Sequence, residues 1–170
     1  MGDLQTAIEL AVKAHAGVRR KNPPGLPYIT HPLLVMDAVD GCAAKMVAVL
    51  HDVLEDSDLT AGDLHRAGFS QQVVDGVLAV TRNAGESYAD FVVRCKRNPI
   101  GRIVKLADLA ANFNFPHTLL RAASLPGDLA RLGRYVLSYQ FLRDELCEED
   151  CRGAISQIDR MLARPATSQG

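Results

Sequence analysis

The stretch that decides the fold is CAAKMVAVLHDVLED, residues 42–56. Positions 42–54 are almost wholly apolar and rich in Ala, Val and Leu, which predicts one continuous helix. A helix that is apolar on every side has to be buried in the middle of a fold. The stretch closes with an imidazole and three carboxylates: His51, Asp52, Glu55 and Asp56. The most apolar predicted helix of the chain therefore ends in a group of ionisable side chains.

The rest of the chain also predicts helices, separated by glycine and proline. Amphipathic spacing and capping residues predict them over 4–18, 31–40, 60–67, 70–81, 86–96, 102–113, 127–146 and 149–163. Thr60 and Ser70 are the predicted N-caps of two of these helices, and the proline-rich segment 19–28 is a predicted loop. We find no strand pattern of alternating polar and apolar residues. The sequence thus predicts an all-α single domain over 1–163, followed by a polar tail at 164–170.

Composition narrows the class of protein. Of the 170 residues, 48% are hydrophobic and 23% charged, as in ordinary globular proteins, and the net charge is −1. A near-neutral chain lacks the basic surface that nucleic acids require. No window approaches the ~20 apolar residues of a membrane span, and the first residues lack the apolar core of a signal peptide. The four cysteines show no CxxC spacing, so we expect a cytoplasmic protein that binds neither membranes nor nucleic acids.

Three positions suggest a metal site. Burying several carboxylates without compensation costs several kcal/mol, and a bound cation removes that cost. Asp108 interrupts a second apolar helix, and His31 follows the proline-rich loop. With His51 and Asp52 they would place two imidazoles and two carboxylates on three buried helices, a donor set that suits Mn²⁺, Fe²⁺ or Zn²⁺. Taken singly, each position also fits a helix cap, a polar stripe or an exposed helix end.

The same residues resemble a known pattern. His31, then His51-Asp52, then Asp108 resemble the H…HD…D pattern of the HD phosphohydrolase superfamily. The finer resemblance is to the Rel/SpoT-type alarmone hydrolases, and it rests on five segments: HAGVRRK at 15–21, YITHP at 28–32, LHDVLED at 50–56, the VTK-like VLAVT at 77–81 and KLADLAAN at 105–112. It runs in order from about residue 7 to about residue 112. A chain of 170 residues leaves no room for a synthetase domain, so it is most similar to the small stand-alone hydrolases, including the metazoan SpoT homologues.

The resemblance implies a helical HD fold, a metal centre and a reaction. One divalent ion, usually Mn²⁺ in this family, would be held by His31, His51, Asp52 and Asp108. Glu55 and Asp56 would orient and deprotonate a water that attacks the 3′-pyrophosphate of guanosine tetra- or pentaphosphate, (p)ppGpp. The products would be pyrophosphate and GDP or GTP.

The resemblance also implies contacts with a small anionic guanine nucleotide. Arg20 and Lys21 match positions beside the base and phosphates, and Asn112 matches one near the ribose. Lys105 is a weaker candidate for a phosphate contact. We interpret His15, on an apolar helix face, as a hydrogen-bonded structural histidine.

Departures from the family pattern leave other functions open. Leu109 and Ala111 stand where the family usually has Arg and His, and they border the region expected to hold the base and ribose. One alternative is a phosphohydrolase that acts on another nucleotide, such as NADPH or a nucleoside monophosphate. Another is a non-catalytic module that binds alarmone. The oligomeric state is also open, with the last two helices as the candidate interface of a homo-oligomer.

Overall fold

The computed structural model describes residues 2–20, 25–113 and 120–163 and shows ten α-helices there. They are α1 Leu4–Ala14, α2 Thr30–Asp37, α3 Cys42–Leu50, α4 Val53–Asp56, α5 Ala61–Arg66, α6 Gln71–Val80, α7 Tyr88–Arg97, α8 Pro99–Asn112, α9 Leu125–Leu142 and α10 Glu148–Ala163. Over these ranges the only β-type pairing is an isolated bridge between Arg19 and Pro27. The all-α prediction is confirmed. None of the helices in the described part of the chain is long and apolar enough to cross a membrane.

The predicted continuous helix over 42–54 is wrong. α3 ends at Leu50, α4 begins at Val53, and His51 and Asp52 form the turn between them. Asp52 has φ −100° and ψ −5°, away from ideal helical values. Its carbonyl accepts the first hydrogen bond of α4, from the Asp56 amide at 3.0 Å. His51 and Asp52 therefore lie in the turn between two helices rather than within one helix. Hydropathy alone could not predict this break, because the segments on both sides of it are apolar.

Several predicted helix ends shift as well. α8 begins at Pro99 rather than at residue 102, because the Asn98 side chain accepts a hydrogen bond from the Gly101 amide and proline suits a first turn. Thr60 and Ser70 occupy the predicted N-cap positions of α5 and α6, and of the two only Thr60 makes a side-chain cap hydrogen bond within the described residues. α2 ends at 37 rather than 40, and α9 spans 125–142 rather than 127–146. The predicted tail, 164–170, lies outside the described residues.

The core is built around α3. Val47, Ala48, Val49 and Leu50 are fully buried, and α3 packs against α1, α2, α6 and α8. α6 approaches it closely at Gly76, where a Cβ would lie 2.7 Å from a methyl carbon of Val47. A second apolar cluster joins α7, α8, α9 and α10. Because α8 contributes to both clusters, it is held firmly against α2 and α3, where the candidate metal ligands lie.

Candidate metal centre

Three side chains from separate helical segments converge below the surface. His31 lies in the first turn of α2, His51 directly follows α3, and Asp108 lies on α8. All three are buried, and one ligand atom from each lies within 4.8 Å of the other two. The Nε2 atom of His31 is 3.1 Å from Asp108 Oδ1, and that of His51 is 3.8 Å from the same oxygen. Residues 77 positions apart in sequence thus form one cluster, since the packing of α2, α3 and α8 brings them together.

Asp52 borders this cluster. Its Oδ2 atom lies 3.0 Å from His51 Nε2 and 3.9 Å from His31 Nε2. The Tyr28 hydroxyl donates a 2.6 Å hydrogen bond to the same oxygen. Tyr28 precedes α2, and its ring also packs against that of His31. This tyrosine therefore fixes the orientation of the Asp52 carboxylate, a role that the sequence analysis missed although Tyr28 opens the YITHP segment.

Two residues for which the resemblance implies substrate contacts form hydrogen bonds with Asp108. Lys105 Nζ donates to Asp108 Oδ2 at 2.8 Å, and Asn112 Nδ2 donates to Oδ1 at 2.6 Å. All three residues lie on one face of α8, because residues three and four apart on a helix are neighbours. In this structure Lys105 and Asn112 hold the Asp108 carboxylate in place.

The pKa shifts in the cluster keep its carboxylates ionised and favour a positive charge beside them. Burial lowers the pKa of His51, but the carboxylates of Asp52 and Asp108 outweigh it and raise the pKa to about 9. Burial raises the pKa of Asp52, yet the nearby His51 lowers it to about 2. Burial is likewise outweighed at Asp108, where the Lys105 ammonium holds the carboxyl pKa well below its usual range. The site favours ionised carboxylates together with a compensating positive charge.

The residues present fit a divalent metal ion. His51 Nδ1 lies 2.7 Å from the Ala48 carbonyl, which orients the ring and turns Nε2 towards the carboxylates. That Nε2 atom is buried and makes no hydrogen bond within the described part of the chain, although Asp52 Oδ2 lies 3.0 Å away. Imidazole nitrogen and carboxylate oxygen together form a donor set suited to Mn²⁺, Fe²⁺ and Zn²⁺. A bound dication would supply the positive charge that the buried carboxylates require.

A cavity of about 220 Å³ opens beside the cluster. Its lining includes His51, Asp52, Asp108, Glu55 and Lys105. The remaining described wall consists of Val80, Arg82, Tyr88, Phe91, Val104 and Tyr135. Polar groups that can bind and activate water therefore share one concave site with apolar and aromatic walls.

Glu55 and Asp56 have different surroundings. Burial raises the pKa of both carboxyls. Glu55 lines the cavity, and its Oε1 accepts a 2.6 Å hydrogen bond from the Arg82 amide. Asp56 lies outside the described lining and has Oδ2 3.6 Å from His15 Nδ1. The geometry thus distinguishes two carboxylates that the sequence analysis treated as one pair.

The remaining predicted residues lie on or near the loop between α1 and α2. Arg20 is half-buried, its amide donates to the Leu26 carbonyl, and it is not part of the described cavity wall. Lys21 falls outside the described residues. His15 is buried, as expected of a structural histidine, but neither ring nitrogen makes a hydrogen bond with the described residues, so the predicted hydrogen bond is wrong. Its ring packs against Tyr28, the tyrosine that orients Asp52.

Sequence comparisons find relatives among alarmone enzymes, while no family model matches the chain. The chain is 32% identical over 131 residues to a GTP pyrophosphokinase of Streptomyces coelicolor, covering 69% of this chain and 15% of the relative. It is 34% identical over 82 residues to human guanosine-3′,5′-bis(diphosphate) 3′-pyrophosphohydrolase MESH1, covering 44% of this chain and 46% of the relative. The chain thus spans a small part of the bacterial relative and under half of the human one.

The fold comparison extends over nearly the whole chain. The solved structure of a metazoan ortholog of SpoT, described as hydrolysing ppGpp, matches with a TM-score of 0.63 at 22% identity. The match covers 94% of this chain and 95% of that one. The predicted resemblance to Rel/SpoT-type HD hydrolases is confirmed by sequence similarity and by a shared helical fold.

Proposed function

We propose, from this similarity to the Rel/SpoT-type HD hydrolases, that the protein removes the 3′-pyrophosphate of (p)ppGpp. The products would be pyrophosphate and GDP or GTP. The observation that carries the proposal is the buried group formed by His31, His51 and Asp108, with the Nε2 atom of His51 3.0 Å from Asp52 Oδ2 and 3.8 Å from Asp108 Oδ1. Relatives named for this reaction are 30% and 34% identical to the chain, over 122 and 82 residues.

His31, His51, Asp52 and Asp108 are the proposed ligands of one divalent ion, and Mn²⁺ is the ion that we propose. When bound, such an ion supplies Lewis-acid polarisation of a phosphate oxygen and lowers the pKa of a bound water. Tyr28 would hold Asp52 in its ligating orientation, and Lys105 and Asn112 would do the same for Asp108. Such supporting hydrogen bonds are typical of metal centres, where they fix the direction of each ligand.

Glu55 is the proposed acceptor of the water proton. It lines the cavity within the same short helix that follows the His-Asp turn, and the Arg82 amide fixes one of its oxygens at 2.6 Å. The other carboxylate oxygen is then available to a water molecule in the cavity. Asp56 lies next to His15. It would act with Glu55 by orienting the attacking water. The deprotonated water would attack the phosphorus attached to the 3′ oxygen, which leaves on the nucleotide.

The test is a product-resolved assay with Mn²⁺ and guanosine tetraphosphate. We expect release of pyrophosphate together with GDP. Release of orthophosphate alone, or no turnover, would contradict the proposal. Parallel reactions with NADPH and nucleoside monophosphates test the other phosphohydrolases, and binding without turnover would indicate the non-catalytic module.

Two variants test the assigned roles against matched controls. Asp52→Ala should lose Mn²⁺ binding, whereas Asp58→Ala, an exposed aspartate just beyond α4, should keep it. Glu55→Gln should keep the metal and lose at least about 100-fold in kcat, as expected on removing a general base. Glu9→Gln, on the exposed face of α1, should leave kcat unchanged. Full activity of Glu55→Gln would show that another group accepts the proton.

A further inference from the structure

The loop between α6 and α7, residues 81–87, brings an arginine to the metal-site cavity. Arg82 lines that cavity, and it also lines an open groove formed by the rest of the loop. Glu55 lies at the boundary because it lines both spaces. The cavity and the groove therefore have Arg82 and Glu55 in common as wall residues.

A lysine and an arginine line the described part of the cavity, and they have different partners. The Lys105 ammonium is paired with the Asp108 carboxylate at 2.8 Å. The Arg82 guanidinium donates from Nε and Nη2 to the Glu86 carbonyl oxygen, at 3.0 and 2.7 Å. A carbonyl is a neutral acceptor, so it orients the guanidinium without neutralising it. Among the described lining residues, Arg82 is the cation that the structure does not pair with a carboxylate.

The loop is held in place by a second arginine. Arg94, on α7, donates from Nε and Nη2 to the two carboxylate oxygens of Glu86, at 2.8 and 2.6 Å. It also donates to the carbonyl oxygens of Leu78 and Thr81, at 2.6 and 2.8 Å. These contacts attach both ends of the loop to α7. The position of Arg82 at the cavity is therefore set before any ligand arrives, which lowers the entropic cost of binding one.

The loop also fixes Glu55, because the Arg82 amide donates to its Oε1 atom. The backbone of Arg82 thus contacts the proposed proton acceptor, the residue forms part of the cavity wall, and its guanidinium is bonded to a neutral carbonyl oxygen. Guanidinium groups bind phosphate oxygens through paired N–H donors. The arrangement suits an anionic group bound next to the reacting water.

We propose that Arg82 is a phosphate-binding residue of this site. Its guanidinium binds an oxygen of the pyrophosphate group that leaves the nucleotide. This inference rests on the proposed function for the identity of the substrate, but not for the chemistry of the contact. It assigns to the α6–α7 loop the positive charge that Lys105 cannot supply while it is paired with Asp108.

Binding of inorganic pyrophosphate tests the inference without turnover. Calorimetric titration into the Mn²⁺-loaded protein, with the titration into Mn²⁺ buffer subtracted, gives Kd. Arg82→Gln should raise Kd about tenfold or more, as expected for loss of a charge-assisted hydrogen bond. Arg82→Lys keeps the charge but loses the paired donors, so its Kd should lie between those of the wild type and Arg82→Gln.

The matched control is Arg97→Gln, which removes an exposed arginine at the end of α7 that lines a separate groove. Its Kd should change less than twofold. The wild-type Kd should rise with ionic strength more steeply than that of Arg82→Gln, a difference that loosening of the loop alone would not produce. An unchanged Kd for Arg82→Gln, an equal loss in Arg97→Gln, or equal salt slopes would each overturn the inference.

Failure of the two proposals can be told apart. If the wild-type protein does not hydrolyse guanosine tetraphosphate but binds pyrophosphate through Arg82, the proposed substrate is wrong and the phosphate contact stands. If it hydrolyses the nucleotide and Arg82→Gln retains wild-type KM and pyrophosphate affinity, the proposed function stands and the role of Arg82 is wrong.

Discussion

Replacing Lys105 by Met tests whether a buried lysine holds the metal-ligand carboxylate in place. Lys105 Nζ lies 2.8 Å from Asp108 Oδ2, and the two side chains are 13% and 7% exposed. Methionine has a similar length and can keep the contact with the Phe91 ring, over which the ammonium lies 5.0 Å from the centroid. The substitution therefore removes mainly the charge.

The structure sets the expected magnitude. At an effective dielectric constant of about 20, two unit charges 2.8 Å apart attract by about 6 kcal/mol, and the desolvation of the ammonium offsets part of this. Removing one partner of a buried ion pair costs about 3–5 kcal/mol, because the other charge stays buried. Asn112 still donates to Asp108 in the variant, so we expect a loss of about 3 kcal/mol in the free energy of unfolding.

The assay is urea unfolding of metal-free protein, followed by circular dichroism, in a double-mutant cycle. Lys105→Met should cost about 3 kcal/mol in the wild type but less than about 1 kcal/mol in an Asp108→Asn background, because the buried charge is then absent. Lys13→Met, at an exposed position of α1, is the control and should change stability by less than about 0.5 kcal/mol. A cost below about 1 kcal/mol in the wild type, or the same cost in both backgrounds, would refute the reasoning.

Three further predictions concern the site, the core and acid stability. Tyr28→Phe removes the hydrogen bond to Asp52, so Mn²⁺ affinity measured by calorimetry should fall about tenfold or more. Gly76→Ala should lower the free energy of urea unfolding by about 1 kcal/mol, because overlap with a buried Val47 methyl outweighs the better helix propensity of alanine. The Thr60 hydroxyl and amide lower the pKa of Asp63 to about 2, from an ordinary 3.8. That carboxylate stabilises the fold above about pH 4 and loses its effect as the pH falls towards 2, so Asp63→Asn should flatten this part of the acid-unfolding curve.

Each of these predictions has a contradicting outcome. Unchanged Mn²⁺ affinity of Tyr28→Phe would show that Asp52 needs no support from the tyrosine. Gly153→Ala is the control for the core variant: nothing lies within 4 Å of its added Cβ in α10, so it should stabilise by a few tenths to about 1 kcal/mol. Stabilisation of Gly76→Ala by the same amount would show that α6 and α3 separate without cost. An acid-unfolding curve of Asp63→Asn that matches the wild type would show that Asp63 does not contribute to acid stability.

The sequence predicted the helical fold and the four proposed metal ligands because both depend on local patterns. Apolar spacing specifies helices, and polar residues in the middle of apolar helices, as at Asp108, indicate a buried site. Hydropathy did not predict the turn at His51 and Asp52, since apolar segments on both sides conceal it. The hydrogen bonds from Lys105 and Asn112 to Asp108 were not predicted either, because motif positions do not show which carboxylate a side chain faces.

Contacts between residues far apart in the sequence could not be predicted from local sequence patterns. The Glu55 carboxylate and the Arg82 amide are 27 positions apart, and no local pattern relates them. The loop that carries Arg82 begins at Thr81, where the VTK-like segment ends, but no sequence pattern relates Arg82 to the cavity, and that relation emerged only from the packing of α6 and α7. Tyr28 belonged to a recognised segment, but its bond to Asp52 depends on how the start of α2 meets the turn after α3.

By itself, the sequence determined that buried helices carry imidazoles and carboxylates, because the spacing of apolar residues specifies which faces leave water. The tertiary structure decided which of those groups meet and which cations they pair with. Lys105 is paired with Asp108, whereas Arg82 keeps its charge beside the cavity. The physical reason is that electrostatic energy depends on separations of a few ångströms between atoms, and only the packing of helices distant in sequence sets those separations.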